Sequence, residues 1–329
     1  MTTSVTVVGY PRIHITLMDL AGVTSMVPGG VGFSLDAFPT VLTAESASGF
    51  SVLGDSGLDQ NAREDLDAIC HRLRRLSSHK GALVRIESTP PQHVGLGSKT
   101  TLLLSVLTAV DALYGRTMSR EKIQLLSERG GTSGIGIHSF FVGGLVVDAG
   151  RRRVAEWKPV PSSENIRTGI PVLLMNFRFP DNWRVALLSP SAPPISGEIE
   201  REFFERKCPI SSAEALNAIA QVYHGVVPSI LQRDIELLRE SLKSISASGF
   251  KKSEIEIHGR VVRDIIYELN ESNIACGMSS LGPTIYAIFE ANDERKFERI
   301  CSVARTWSAQ IQGPFRARNQ GAEVLGVGQ

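Results

Sequence analysis

The sequence predicts an α+β fold with two lobes, the second of which is ferredoxin-like. Helical and strand-like patterns do not alternate throughout the 329 residues, and this argues against a doubly wound parallel sheet. In the second half their order is strand, helix, helix, strand, helix, strand, which resembles a ferredoxin-like lobe. The segment 151–168 has mixed charge, two prolines and no steady period. We therefore place the boundary there, with lobes at 1–160 and 161–329.

The first lobe begins with strand-like runs. Its helices are predicted where the sequence is apolar, where it is amphipathic, or where it starts with a capping residue. Strands are predicted at 5–8, 12–19, 82–87 and 140–147, and helices at 60–77, from 101 through at least 111, and at 119–128. The last helix has Ser119 as its N-cap and Glu121 in its first turn, a combination that is typical of a helix start.

The second lobe follows the linker with two strand-like runs, a long helical region and a final strand and helix. Strands are predicted at 171–176, 184–188 and 284–290, and helices within 211–246, at 260–271 and at 293–307.

Composition excludes several classes of protein. The hydrophobic content of 42% is sufficient for a core, and a net charge of +1 gives no basic surface for nucleic acid. The four cysteines are widely spaced and lack zinc-site spacing, so we expect reduced, buried thiols. No apolar run approaches the roughly 20 residues of a membrane span, and the first residues do not resemble a signal peptide. We therefore expect a cytoplasmic protein with small-molecule partners, without nucleic acid or membrane.

A glycine-rich loop precedes the most apolar helix and is the strongest functional signal. The first amides of a helix have no intrahelical partner and carry partial positive charge, so such a loop predicts a phosphate site. A lysine at the helix start supports this, because without an anion it would oppose the helix dipole. Neither the P-loop nor the dinucleotide pattern is present, and a simple tight turn is the alternative. The candidate binding residues are His93, Gly95, Leu96, Gly97, Ser98, Lys99 and Thr100.

A second glycine cluster lies between a predicted helix and a predicted strand. An arginine side chain offers a fork of donors to phosphate, and glycines allow backbone amides to converge on an anion. The alternative is a β-bulge or a hairpin turn. The candidate binding residues are Arg129, Gly130, Gly131, Thr132, Ser133 and Gly134.

Three motifs in register give the chain a resemblance to a known family. Residues 91–98 are Pro-Gln-His-Val-Gly-Leu-Gly-Ser, residues 129–136 are Arg-Gly-Gly-Thr-Ser-Gly-Ile-Gly, and residues 279–286 are Ser-Ser-Leu-Gly-Pro-Thr-Ile-Tyr. With Arg12-Ile13-His14, a glycine turn at 29–32 and Gly249-Phe250, the sequence resembles beta-ribofuranosylaminobenzene 5'-phosphate synthases over nearly its whole length. The resemblance implies that Ser279, Ser280 and Gly282 of the third motif face the binding site of the phosphoribosyl donor.

The resemblance implies the GHMP-superfamily fold, used with phosphoribosyl pyrophosphate (PRPP) and Mg²⁺ rather than with ATP, and a homodimer. Family members join the anomeric carbon of PRPP to an aromatic ring carbon that bears a carboxylate, with loss of pyrophosphate and CO₂. Two glycine clusters fit a donor with two phosphate groups, and Lys99 would help to neutralise the leaving pyrophosphate. A GHMP small-molecule kinase that uses ATP, or a non-catalytic sugar-phosphate sensor, are the alternatives.

Candidate catalytic residues are Asp19, His14 and Lys99. Asp19 ends an apolar strand beside a glycine turn, and Asp148 is the second choice; either carboxylate is a candidate metal ligand. An Asx-turn is the alternative for both. His14, His93 and Arg12 are candidate contacts to a phosphate or carboxylate, with purely structural roles as the alternative.

Departures from the family pattern favour a changed acceptor. Lys99 stands where glycine is usual, Pro28 stands in a segment that usually reads Arg-Val-Asp, and Arg151 replaces a histidine. Added positive charge suits a small acceptor with two carboxylates. We therefore expect a C-nucleoside synthase acting on a pyrazole or pyrrole dicarboxylate, with 4-aminobenzoate or 4-hydroxybenzoate in methanopterin-type biosynthesis as the alternative.

Overall fold

A computed structural model describes residues 4–54, 56–76, 80–161, 169–193, 195 and 197–326. Its strands, in chain order, are β1 Ser4–Gly9, β2 Arg12–Met18, β3 Met26–Val27, β4 Gly29–Ser34, β5 Thr40–Ser46, β6 Ser51–Leu53, β7 Ala82–Ser88, β8 Leu145–Asp148, β9 Arg151–Arg152, β10 Leu173–Phe177, β11 Trp183–Ser189, β12 Ala275–Met278, β13 Ile285–Glu290, β14 Gln310–Phe315 and β15 Glu323–Leu325.

The helices surround these strands in both halves of the chain. They are α1 Gln60–Arg74, α2 Ser98–Leu113, α3 Arg120–Leu126, α4 Ile135–Val142, α5 Glu198–Lys207, α6 Ser212–Gln221, α7 Val227–Gln232, α8 Ile235–Ser246, α9 Gly249–Glu256, α10 Gly259–Glu271 and α11 Glu294–Thr306, with a π-helical turn at Val222–Val226. No helix in the described ranges is both long enough and apolar enough to cross a membrane.

Two sheets of the first half carry the elements that position the functional site. One has the order β15-β1-β5-β7-β6 and packs on α1 and α2 through a buried apolar cluster. The other has the order β10-β8-β4-β2 and is antiparallel throughout. Both sheets include strands from beyond residue 160, because β10 pairs with β8 and β15 pairs with β1. The predicted lobe division at residue 160 stays a prediction, and the chain exchanges strands across it.

The second half confirms the ferredoxin-like prediction. Its antiparallel sheet has the order β12-β13-β11-β14, and the chain runs β11, helices, β12, β13, α11, β14. This is the split β-α-β-β-α-β arrangement. The helical region predicted at 211–246 is confirmed, but it divides into α6, the π-helical turn, α7 and α8. The strand β12, which our sequence analysis omitted, lies beside β13 and pairs with it.

Two predictions in the first half are wrong in part. Residues 140–147 were predicted as a strand, but the segment up to Val142 belongs to α4 and only β8 follows as a strand. Gly143 and Gly144, both at positive φ, separate the two elements. Because α4 is apolar and almost entirely buried, its sequence lacks the polar face by which a helix is distinguished from a buried strand.

The glycine turn expected at 29–32 is instead β4, a central strand between β2 and β8. A Cβ atom on Gly32 would lie 2.3 Å from the carbonyl oxygen of Ile13 on β2. The glycines therefore allow close strand pairing here and do not form a turn. Of the cysteines, all free, Cys70 and Cys276 are buried as expected and Cys208 and Cys301 are half-buried.

Candidate active site

Most of the predicted site residues meet at one pocket of about 180 Å³. It lies between β2, the N-terminal ends of α2 and α4, helices α5 and α9, and the loop after β12. The predicted residues that line it are Arg12, His14, His93, Gly95, Gly97, Ser98, Lys99, Thr100, Arg129, Gly130, Thr132, Ser133, Ser280 and Gly282. The three sequence motifs therefore form one site.

The start of α2 faces this pocket without a side-chain cap. Its N-cap is Gly97 in the left-handed conformation, at φ 74°, and no side chain caps the helix. The amides of the first turn are therefore available to an anion, as the sequence predicts. A Cβ atom on Gly97 would contact the side chain of Arg12 at 3.2 Å, so a glycine at this position keeps the space that the guanidinium group occupies.

Hydrogen bonds from the third motif hold the first motif against β2. Ser279 Oγ donates a hydrogen bond to the carbonyl oxygen of Gly95 at 2.7 Å and accepts one from the amide of His14 at 3.0 Å. The amide of Ser280 donates to the carbonyl oxygen of His14 at 3.0 Å. Ser279 is buried and does not line the pocket, so its role in the structure is to join two loops to the strand.

Two half-buried arginines line the pocket and form no ion pair with a carboxylate among the residues that the structure describes. Arg12 donates to the carbonyl oxygen of Gly95, and Arg129 Nε donates to Thr100 Oγ1 at 3.2 Å. Desolvation and repulsion from Arg129 together lower the pKa of Arg12 to about 10, and the charge of Glu254 opposes this shift. Desolvation also lowers the pKa of Arg129, against the charges of Asp65 and Glu200. Partly desolvated cations that repel one another are costly to bring together, and an anionic ligand would compensate them.

Lys99 and His93, two more predicted site residues, are already engaged by acidic side chains. Lys99 Nζ lies 3.0 Å from Asp65 Oδ2, and His93 Nε2 lies 2.5 Å from Asp59 Oδ2. Both residues still line the pocket. Lys99 therefore adds positive potential at the start of α2, while its charge is partly balanced from α1.

His14 belongs to a hydrogen-bonded chain below the pocket. Its Nε2 lies 3.3 Å from Ser133 Oγ, which donates to Asp148 Oδ2 at 3.0 Å. Burial raises the pKa of Asp148 to about 7, although bonds from the amides of Gly150 and Gly134 oppose that shift. Burial lowers the pKa of His14 well below its ordinary value, so the imidazole is neutral. The chain fixes the Ser133 hydroxyl at the pocket wall.

Asp19 does not line the pocket, contrary to the expectation for a reaction-centre carboxylate. Its Oδ1 accepts from the amide of Val23 and its Oδ2 from the amide of Thr24, both at 2.7 Å, and its φ is 52°. These contacts are those of a turn-stabilising aspartate. The geometry thus gives Asp19 the structural role that stood as the alternative, and its catalytic role stays a prediction without a supporting contact.

Three more predicted residues support the site without lining it. Leu96 is buried in the apolar core, and the carbonyl oxygen of Gly131 accepts from Arg151 Nη1 at 2.9 Å. The amide of Gly134 donates to Asp148 Oδ2 at 3.0 Å. Its backbone is therefore engaged within the protein rather than free for a ligand.

Several residues that line the pocket were not predicted from the sequence. Leu17, Ile195, Phe204 and Leu281 supply apolar surface, and Glu200 and Glu254 supply carboxyl groups. Glu254 forms a buried ion pair with Lys251 at 2.6 Å, and Lys251 also donates to the carbonyl oxygens of Met278 and Ser280. The Glu-Ile-Glu stretch after Gly197, followed by two phenylalanines, was the available signal for α5. It has no glycine motif, so nothing in it pointed to a ligand.

The described residues form no metal site built from protein ligands alone. No group of three His, Cys, Asp or Glu side chains among them is arranged to hold one. The two suggested ligands, Asp19 and Asp148, use their oxygens for hydrogen bonds within the protein. We derive no step through a metal, and the requirement for Mg²⁺ stays a prediction.

Comparisons with known proteins agree with this geometry. The family model described as the GHMP kinases N terminal domain matches residues 64–144, and the one described as GHMP kinases C terminal matches residues 226–306. Among solved structures, homoserine kinase from Cytophaga hutchinsonii superimposes with a TM-score of 0.68 over 99% of this chain and 98% of its own, at 16% identity. Mevalonate diphosphate decarboxylase from Staphylococcus aureus gives 0.61 over 99% and 98%, at 14% identity. These two likenesses show the fold.

Sequence relatives are more specific. Beta-ribofuranosylphenol 5'-phosphate synthase from Archaeoglobus fulgidus is 34% identical over 85% of this chain and 86% of its own. The enzyme of the same name from Methanothermobacter thermautotrophicus is 31% identical over 95% and 96%. The predicted family is therefore confirmed, and the chain belongs to the beta-ribofuranosylphenol 5'-phosphate synthase family, on the GHMP-superfamily fold.

Proposed function

We propose that this protein transfers ribose 5-phosphate from PRPP to the carboxylate-bearing ring carbon of an aromatic acid, with loss of pyrophosphate and CO₂. The observation that carries the proposal is the pair of half-buried arginines, Arg12 and Arg129, which line the same pocket as the uncapped start of α2. A site with two unpaired cations and free helix amides suits a donor with several phosphate oxygens.

The acceptor that we propose first is a 4-hydroxybenzoate-type phenol. The relatives that share about a third of their residues with this chain are named for a ribosylated phenol. The pocket also has an apolar wall that includes Phe204 and Leu281, which suits a benzene ring. This acceptor is the one that our sequence analysis held as the alternative.

A nitrogen heteroaromatic dicarboxylate is the second candidate, in a reaction that leads to a C-nucleoside. The observation that favours it is Lys99, a third cation at the pocket, which stands where the family usually has glycine. A second carboxylate on the acceptor would offer the Lys99 ammonium group an ion-pair partner. Lys99 Nζ already lies 3.0 Å from Asp65 Oδ2, however, so a carboxylate on the substrate would add less.

In this mechanism the chain's own groups bind the donor and stabilise charge. Arg12, Arg129 and the first-turn amides of α2 would meet the negative charge that grows on the leaving pyrophosphate, as electrostatic catalysis requires. The Ser133 hydroxyl donates its proton to Asp148 Oδ2, so towards a ligand it would act as a hydrogen-bond acceptor for a ribose hydroxyl group.

An acceptor panel tests the proposal. The protein is incubated with PRPP and Mg²⁺ and with 4-hydroxybenzoate, 4-aminobenzoate or a pyrazole dicarboxylate in separate reactions, and pyrophosphate and CO₂ are both measured. Coupled release with 4-hydroxybenzoate supports the first candidate, and coupled release only with the dicarboxylate supports the second. Consumption of ATP without turnover of PRPP would instead show a kinase and overturn both.

A further inference from the structure

The residues that line the pocket fall into two chemically different groups. Arg12, Lys99 and Arg129, together with the helix starts, are cationic, and Leu17, Phe204 and Leu281 give the pocket an apolar wall. Phosphate groups suit the cationic residues, so the apolar wall remains for the ring of the acceptor. Glu200 also lines the pocket, one turn before Phe204 on α5, and its charge interacts with that of Arg129.

Helix α5 holds the backbone of Glu200 in place. Glu200 and Phe204 are four residues apart on α5 and share a helix face. Phe203 and Phe204 are buried and contact Phe250, with ring centroids 5.2 Å and 4.8 Å apart. Because these aromatic contacts anchor α5 to α9, they fix the backbone of Glu200 beside the apolar wall.

Glu200 differs from the other carboxyl groups around the pocket. Asp59 pairs with His93, and Glu254 pairs with Lys251. Asp148, below the pocket, accepts three hydrogen bonds. Within the described residues, no donor forms a hydrogen bond to Glu200. Its carboxyl group is therefore free to interact with a ligand.

The charges around Glu200 hold it between its two protonation states at neutral pH. Burial raises its pKa to about 7, and the negative charge of Glu254 adds to the rise. Arg129, His93 and Lys99 act in the opposite direction. A group with this balance can both accept and return a proton near neutral pH.

We propose that the apolar wall of α5 is the acceptor subsite and that Glu200 is a catalytic residue that takes the proton of the ring hydroxyl group. The proposal rests on the function proposed above. It identifies the substrate that accepts the ribose as a phenol whose hydroxyl group lies opposite its carboxylate on the ring. A side chain that takes up a proton in this place has a function only when the ring carries an acidic substituent.

The proposed step conserves atoms and charge. Glu200 removes the phenol proton, and the electron pair released into the ring makes the carboxylate-bearing carbon nucleophilic. This carbon forms the bond to the anomeric carbon as the bond to pyrophosphate breaks. The bond to the carboxylate then breaks, CO₂ leaves, and the electron pair restores the aromatic ring. The product phenolate recovers the proton from Glu200.

The test compares Glu200→Gln with Glu205→Gln, an exposed glutamate on the same helix. With 4-hydroxybenzoate, we expect kcat of Glu200→Gln to fall about a hundredfold or more, the effect typical of a lost general base, with KM for PRPP unchanged. The wild-type kcat/KM should rise as the pH passes about 7, and this rise should be absent in Glu200→Gln. Asp148 has a similar pKa, so Asp148→Asn must keep the rise.

A fluorinated acceptor separates proton transfer from mere positioning. In tetrafluoro-4-hydroxybenzoate the phenol is already ionised at neutral pH, and no base is needed. The ratio of wild-type to Glu200→Gln rates should therefore shrink at least tenfold with this acceptor. An unchanged ratio, or a Glu200→Gln variant as active as Glu205→Gln, would overturn the assignment of Glu200. Failure of wild-type protein to release pyrophosphate with any acceptor would instead overturn the proposed function.

Discussion

Gly95 and Gly282 lie back to back, and their contact joins the first and third motifs of the site. A Cβ atom on Gly282 would lie 2.1 Å from the amide nitrogen of Gly95, and one on Gly95 would lie 2.1 Å from the carbonyl oxygen of Ser279. Gly95 also has a φ of 91°, which side chains rarely adopt. Neither position has room for any other residue, so the shape of the glycine-rich loop before α2 depends on both glycines.

Gly282→Ala should disrupt the pocket more than it disrupts the fold. The added methyl group meets backbone atoms that cannot move independently, so the loops at 93–97 and 279–282 must separate. We expect at least a tenfold loss of PRPP affinity, measured by calorimetry. Gly57→Ala, where a Cβ atom would meet nothing within 4 Å, is the matched control. Wild-type affinity in Gly282→Ala would contradict the packing described here.

Arg129→Met should weaken donor binding without weakening the fold. The arginine is half-buried and forms no ion pair with a carboxylate among the described residues, so an apolar side chain of similar length removes a partial desolvation cost. Charged hydrogen bonds to a ligand contribute about 1.5–3 kcal/mol, which predicts an increase of roughly tenfold to a hundredfold in KM for PRPP. Urea unfolding and steady-state kinetics measure the two effects.

The control for that variant is Arg305→Met, at an exposed position on α11. It should leave KM for PRPP unchanged. A large loss of stability in Arg129→Met together with an unchanged KM would mean that the arginine serves the fold and not a ligand.

Asp148 should make the protein less stable as pH rises from about 4 to about 7. Its pKa is raised to about 7 in the folded state and is about 3.9 in an unfolded chain. Between these values the folded state holds one more proton, so the free energy of unfolding decreases with pH and is constant above 7. The loss amounts to as much as about 4 kcal/mol.

The measurement is urea unfolding at pH 5.0 and 7.5 for wild type and Asp148→Asn. The asparagine does not titrate, so the difference between the two pH values should be smaller in the variant by a large part of that amount. An identical pH dependence in both proteins would show that Asp148 is ionised in the folded state throughout this range.

Lys251→Met should destabilise the protein strongly, because it leaves the buried Glu254 carboxyl group without its partner at 2.6 Å. Removing one member of a buried pair costs about 3–5 kcal/mol. The double variant Lys251→Met/Glu254→Gln should recover much of that loss. Thermal and urea unfolding of the two single variants and the double variant form the cycle, and additive losses would contradict a direct ion pair.

Asp19→Asn should keep most of the catalytic activity, because both carboxylate oxygens serve the 19–24 turn. Asparagine tolerates the positive φ of this position but places an NH₂ group towards one of the two amides. We expect a loss of about 1–3 kcal/mol in stability and a kcat within a few-fold of wild type. A hundredfold loss of kcat at wild-type stability would restore Asp19 as a catalytic residue.

The glycine motifs predicted which residues line the pocket better than the hydrophobic patterns predicted the helices and strands around it. Gly97 lies at the start of α2, as its local sequence predicted, because the conformation of a helix start is a local property. Arg129 lines the same pocket, although its glycine cluster leads into α4 and not into the predicted strand. Glu200 and Glu254 reach the pocket only through the packing of α5 and α9, and no local pattern encodes that packing. β4 was missed for a related reason, since its glycines indicate close pairing only when their partner strand is known.

Ribosyl transfer to the ring carbon that loses its carboxylate can be measured with 4-hydroxybenzoate labelled with ¹³C in the carboxyl group, incubated with PRPP, Mg²⁺ and the protein. We expect that one labelled CO₂ is released for each pyrophosphate and that the ribosylated product contains no label. Pyrophosphate release with the label retained in the product, or no release of pyrophosphate with any aromatic or heteroaromatic carboxylate, would contradict the proposed transfer.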